Sequence, residues 1–200
     1  MNRQPLRPLD PGEIEAFDRD GVVPLVGMFD SDWVDLLASG LERNLATPSP
    51  RARIWDRDAQ GRTMFWDSQA WQSIDDYQTF VHESPAASIA AQLLGASKIN
   101  FFFDAVFVRS PGSQFSTPWH QDEPYWSVEG HNTCSIWMPL VPVAAENALS
   151  FVPGSHRGDR VLDQPNFGEL NPDNVDHAYQ TDFSAVAEGS FPDIDADPEK

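Results

Sequence analysis

Pro118-Trp119-His120-Gln121-Asp122-Glu123-Pro124-Tyr125-Trp126 is the stretch on which the reading of the fold turns. Taken as an extended strand, it sends residues i and i+2 to the same side, so the His120 imidazole and the Asp122 carboxylate converge while Gln121 faces away. Two ligands of one metal ion are then set by backbone geometry alone. A second histidine from a distant strand would complete a 2-His-1-carboxylate set, which covers one face of Fe(II) and leaves positions open for other ligands. A His-x-Asp also arises by chance as a hydrogen-bonded surface pair, so the tripeptide takes its meaning from its surroundings.

Downstream, Thr133 to Leu140 reads as an apolar strand, Val141 to Ala145 as a turn and Asn147 to Pro153 as a second short strand ending in Pro153-Gly154-Ser155-His156-Arg157-Gly158. The ordered series WHQDEPYW, CSIWMPL and ENALSFVPGSHRG resembles the phytanoyl-CoA dioxygenase family of Fe(II)- and 2-oxoglutarate-dependent oxygenases, over about Asn100 to Gly158. The resemblance implies an α+β fold built on a double-stranded β-helix, a jelly-roll or cupin-like barrel, with N-terminal helices packed on its outer face. It implies Fe(II), 2-oxoglutarate and O2 as the reacting set, with decarboxylation to succinate and hydroxylation of a small organic molecule. On the positions that match, His120 and Asp122 become iron ligands, Ser135 and Trp137 line the oxoglutarate pocket, and Tyr125 and Trp126 stand where related hydroxylases contact substrate. Tyr125 and Trp126 read equally well as ordinary core or rim aromatics. His156 resembles a structural corner rather than a ligand.

The resemblance also implies a late histidine, and an arginine for the distal oxoglutarate carboxylate, on strands that follow a Gly-Asp turn. Nothing after Gly158 has that pattern, and His177 lacks both a preceding apolar strand and a following arginine. The expectation is an N-terminal portion of a longer enzyme that ends before the last barrel strands. Halogenating relatives carry a small residue in place of the iron carboxylate; Asp122 therefore favours hydroxylation, desaturation or ring closure. A catalytically incomplete fragment and a metal-free barrel serving as a binding module stay open beside the enzyme.

Composition narrows the partners. The 31 Asp and Glu against 13 Lys and Arg leave a formal charge of -18, which repels nucleic-acid phosphates and anionic lipid. A coenzyme A thioester would need a basic cluster, and Arg51, Arg53, Arg57 and Arg62 form the only concentrated one; a free small molecule is favoured. No apolar run approaches a membrane span, and Met1 to Gly12 has no apolar core of a secretory signal. Cys134, the single cysteine, excludes an intrachain disulfide and suits a reducing cytoplasm. Oligomeric state is not legible.

Along the chain, the expected organisation is one domain. Its helical N-terminal part occupies 1–97, its barrel strands with the metal motif 98–158, and an acidic loop, either a lid or a solvated segment, 159–200. Asp10 to Arg19 reads as a helix with Asp10 as N-cap, Pro11 at the first helical position, Glu13 completing a capping box and Gly21 as the stop. Val22 to Phe29 reads as a strand. A second helix over about Asp32 to Ala46 puts Trp33, Leu36, Leu37, Leu41 and Leu45 on one face, before Thr47-Pro48-Ser49-Pro50 ends it. Trp55, Trp66 and Trp71 either line a pocket or cover the core. Ser84-Pro85 opens a helix that Gly95 stops, and Lys98 to Arg109 reads as a long strand with Ile99, Phe101, Phe103, Ala105 and Phe107 on one face.

Overall fold

The computed structural model describes residues 1–57, 59–61, 63–113, 117–128, 130–158, 161–162 and 187–196, with the backbone alone at 55–57. They form an α+β chain whose contacts divide it into two units. One comprises Met1–Ser49, Gln69–Asp104 and His131–Arg157, the other Pro50–Ser68, Ala105–Gly130 and Gly158–Lys200.

The first unit is helical. Helix α1 spans Pro11–Asp20 and begins as the sequence dictates: the Asp10 side chain accepts from Gly12 N–H at 2.8 Å, and Glu13 accepts from Asp10 N–H at 2.8 Å. These bonds satisfy donors that the first turn leaves unpaired. Gly21 ends the helix at φ 78, the left-handed cap that glycine adopts without strain. Helix α2, Ser31–Ala46, packs on helix α3, Asp75–Glu83, an element that the sequence reading did not anticipate. The buried stripe of α2 is Trp33, Gly40 and Asn44, while Leu45 is exposed, so the contact face is turned from the expected leucine face. The rotation has a steric cause. A Cβ on Gly40 would stand 2.7 Å from Tyr77 Cε1, so only glycine lets α3 approach so closely. Arg43 beside it pairs with the buried Asp76 carboxylate.

Helix α4, Ala86–Leu93, lies against α1, and Leu9, Met28 and Ile89 form a core cluster with Ile14, Leu25, Phe29 and Leu93 packed around it. Phe80 stacks on Phe29 at 5.8 Å and receives the Trp33 ring edge-on at 5.5 Å. The expected strand Val22 to Phe29 is instead an irregular connection. Pro24 lacks the N–H a ladder needs and Gly27 sits at φ 71; Leu25, Met28 and Phe29 enter the core while Val26 stays exposed.

The second unit holds an antiparallel sheet in the order β1-β2-β3: Arg53–Arg57, Thr63–Ser68 and Ala105–Arg109. The β1–β2 register slips between Ile54 and Asp56, and β2–β3 pairs run from Met64 with Arg109 to Ser68 with Ala105. The long strand expected over Lys98 to Arg109 is thus only its last five residues. Its partner ends first: Gln69 turns at φ 53 into a 3-10 turn over Ala70–Gln72, so that among the described residues the ladder stops at Ala105. Asp104 caps that turn through its carbonyl to Gln69 N–H and its carboxylate to Trp71 N–H. The covered face is also the other one, for Phe101 and Phe107 are exposed while Val106 and Val108 are half-buried.

Two further expected strands are not formed. Thr133 to Leu140 is irregular, and Asn147 to Pro153 follows a 3-10 helix at Ala145–Asn147, with Leu149 and Phe151 exposed. A strand needs a ladder for its N–H and C=O groups, and the sheet of the described residues includes neither stretch. The three-stranded sheet therefore stands where a barrel was expected, among those residues. Most of the tail from 159 onward, Arg62 and the Trp55 and Arg57 side chains lie outside them. No helix among the described residues is long and apolar enough to cross a membrane.

Candidate metal centre

His120 and Asp122 meet, but not on a strand. Residues 118–121 are irregular, and Asp122, at φ -74 and ψ -41, is the N-cap of a 3-10 helix over Glu123–Tyr125. The expected strand alternation is therefore replaced by a bend, and the bend brings His120 Nε2 within 3.1 Å of Asp122 Oδ1. On the other side of the ring, Nδ1 lies 2.8 Å from the Pro118 carbonyl. Among the described residues no third His, Cys, Asp or Glu joins the pair to make a metal-binding group. His177 lies outside them.

Both His120 nitrogens thus face acceptors, while a neutral imidazole carries one N–H. In the tautomer that gives its hydrogen from Nδ1 to the Pro118 carbonyl, the Nε2 lone pair is aimed at a carboxylate. The contact is satisfied by a second proton or by a cation placed between the two atoms. Burial pulls the His120 pKa down, and the hydrogen bond to Asp122, aided by Pro118 and the carboxylate charge, outweighs it and carries the pKa above the ordinary 6.5.

A metal suits the same geometry. Two donors about 2.1 Å from one ion and at right angles, as octahedral coordination demands, stand about 3.0 Å apart. The observed 3.1 Å matches that separation. A backbone carbonyl holding the far nitrogen of a ligating histidine is the usual second support of such a site.

Tyr125 stands over the pair, its ring edge-on to His120 at 6.0 Å. Burial, with the Asp122 charge second, pushes the Tyr125 phenol up to about 12, so it stays protonated and neutral. Trp126, next in chain, is half-buried, and the Glu123 carboxylate accepts from Gly130 N–H at 3.2 Å, closing the loop that bears both aromatics. The structure therefore groups four of the six residues singled out from the sequence in one short segment. Ser135 and Trp137 belong to the other unit, both exposed on an irregular stretch. Cys134 between them is half-buried, and burial raises its thiol pKa, as befits a packing residue.

His156 is a corner, as its sequence context suggests. Its Nε2 lies 3.0 Å from Asp18 O, Arg157 donates to the same carbonyl at 2.7 Å, and Gly154 N–H donates to Asp20 O at 2.9 Å. The turn thus closes the carbonyl end of α1, where positive groups are favoured.

Two partners of the 119–121 stretch, and the bond that joins their own stretches, were not legible in the sequence. Trp119 Nε1 donates to Asp195 Oδ1 at 2.8 Å, Gln121 Oε1 accepts from Leu162 N–H at 2.9 Å, and Glu188 N–H donates to Val161 O at 2.8 Å.

A family model described as Phytanoyl-CoA dioxygenase (PhyH) matches residues 17–188 of the chain, a span that takes in His120, Asp122, Ser135, Trp137 and the Pro153 to Gly158 turn. No curated protein and no solved structure matches it.

Proposed function

The chain belongs to the phytanoyl-CoA dioxygenase family, and from that premise we propose that it is an Fe(II)- and 2-oxoglutarate-dependent dioxygenase that hydroxylates a small organic molecule. The observation that carries the proposal is the 3.1 Å approach of His120 Nε2 to Asp122 Oδ1, a separation suited to adjacent positions on one ion. Bound there, iron with 2-oxoglutarate and O2 supplies the oxidative decarboxylation to succinate and the hydroxylation.

The chain's own residues do the rest. The Pro118 carbonyl holds the Nδ1 hydrogen and presents the Nε2 lone pair; Asp122 binds as the carboxylate. Keeping that carboxylate favours oxygen insertion, desaturation or ring closure over halogenation. Tyr125, held neutral, and Trp126 offer aromatic surface to the substrate and keep water off it. Ser135 as a hydrogen-bond donor and Trp137 as a wall are our assignments for 2-oxoglutarate, on the family resemblance. A single oxygenase domain with a loop or lid in 159–200 goes with this reading. So does a cytoplasmic location, in keeping with the lone cysteine.

A binding module of the same family is the second reading, favoured by the lack of a third ligand among the described residues. Titration of Mn(II) or anaerobic Fe(II) into the protein separates the two. The enzyme reading expects one site that His120→Ala removes, and succinate release from 2-oxoglutarate that depends on O2. Absence of metal binding would leave the module.

A further inference from the structure

The residues that alternate with the two candidate ligands are both engaged from the C-terminal side. Trp119 donates its indole N–H to the Asp195 carboxylate at 2.8 Å, a charge-assisted bond, and Gln121 accepts from Leu162 N–H at 2.9 Å. The two stretches that supply these partners are joined to each other by the 2.8 Å bond from Glu188 N–H to Val161 O. They also touch at Gly189, where a Cβ would lie 4.0 Å from Leu162 Cδ2. Ala196 N–H bonds the Asp193 carboxylate at 3.2 Å and turns the chain around Asp195. Side chains 119 and 121 are thus held by 161–162 and 187–196, while 120 and 122 face one another.

Among the described residues, 118–121 belongs to no ladder. In a sheet, inter-strand bonds fix each residue's φ and ψ; here the run is irregular, so something else must hold the backbone for His120 and Asp122 to meet. We infer that Asp195 and Trp119, with Leu162 and Gln121 beside them, form a clamp that positions the metal pair, so that metal occupancy and docking of segment 187–196 favour each other. Asp195 and Trp119 are positioning residues and touch no reacting atom. The inference rests on the proposed metal role of His120 and Asp122. Because coupling is reciprocal, a metal that draws the pair together tightens the segment by the same factor that the docked segment tightens the metal.

The test is Mn(II) binding followed by electron paramagnetic resonance on the wild-type chain, Trp119→Phe, Asp195→Ala, Asp195→Asn, the Trp119→Phe/Asp195→Ala pair and His120→Ala. Trp119→Phe keeps the ring and removes the N–H; Asp195→Asn keeps an acceptor. The clamp expects Trp119→Phe and Asp195→Ala each to weaken Mn(II) by about five- to tenfold, the double variant to lose no more than either, and Asp195→Asn to recover most of the affinity. Amide hydrogen exchange gives the second readout: Mn(II) slows exchange across 187–196 in the wild type and not in Asp195→Ala. Wild-type affinity in both Asp195→Ala and Trp119→Phe overturns the clamp and leaves the metal pair standing. A wild-type chain that binds no better than His120→Ala removes both.

Discussion

At His120, removing the partner separates the forces on the ring. Burial is the largest influence and lowers the pKa, but the Asp122 hydrogen bond, the Pro118 contact and the Asp122 charge together outweigh it; Asp122→Ala therefore leaves burial dominant and the pKa falls below the wild-type value. Nuclear magnetic resonance titration of the His120 ring protons reads this shift; an unmoved pKa would detach the two residues. The sign of the stability effect follows. A folded pKa above the unfolded 6.5 means that the pair's contribution is complete below pH 6.5 and is lost as pH rises through the folded value. Urea unfolding across that window expects a loss of stability with rising pH in the wild type, and no such loss in Asp122→Ala, where burial favours the neutral ring. Metal binding runs the opposite way, since a proton on Nε2 excludes the ion: Mn(II) affinity weakens by about tenfold per pH unit below the raised pKa. In the proposed enzyme, Asp122→Ala also abolishes O2-dependent succinate release, and unchanged turnover would remove Asp122 from the site. The convergence of His120 and Asp122 could be read two positions apart in the sequence. The means could not, because the bend at Asp122 and the Pro118 contact come from a backbone that no local pattern announces.

Helix α1 is the element whose ends were most legible, because caps are local chemistry: Asp10, Pro11, Glu13 and Gly21 each act within one turn of their own position. The Arg7 guanidinium, and then the Asp10 N–H, hold the Glu13 carboxyl down at about 2 from its ordinary 4.5. Its contribution is therefore present above pH 4.5 and lost as pH falls toward about 2. Acid unfolding monitored by circular dichroism expects a gentler slope in Glu13→Gln over that range. At the other end, a Cβ on Gly21 would lie 2.4 Å from His156 Nδ1 in a left-handed conformation, so Gly21→Ala costs about 2 kcal/mol or more by thermal melting. Pairing it with His156→Ala relieves the collision up to Cβ and leaves the strain. On α2, Gly40→Ala gains about 1 kcal/mol of helix propensity and loses more, about 1–3 kcal/mol, to the clash with Tyr77, so the net change is a lower melting temperature. Helix α3 escaped sequence reading because its acidic first turn, Asp75 and Asp76, lacks a side-chain N-cap bond and its apolar residues are few; packing on α2 supplies what local signals do not.

Across the whole molecule, 31 acidic against 13 basic residues make self-repulsion the dominant long-range term. Salt screens that repulsion over about 10 Å at 0.1 M, so the melting temperature rises as NaCl goes from about 10 mM to about 150 mM, despite weakening of exposed pairs such as Arg3 with Glu83. A falling melting temperature would show that the ion pairs outweigh the net charge. The sequence by itself determined the family, through an ordered set of motifs now matched over residues 17–188. It also determined the charge, the helix ends at α1 and the meeting of His120 with Asp122, all of which depend on residue type and near neighbours. Tertiary structure alone decided that β2 gives way at Gln69 and the ladder stops at Ala105, that Gly40 rather than a leucine row faces α3, and that Asp195 reaches Trp119. Those outcomes hinge on which distant groups arrive to bond or collide, and a periodic pattern carries no information about the arrival of a partner 76 residues away.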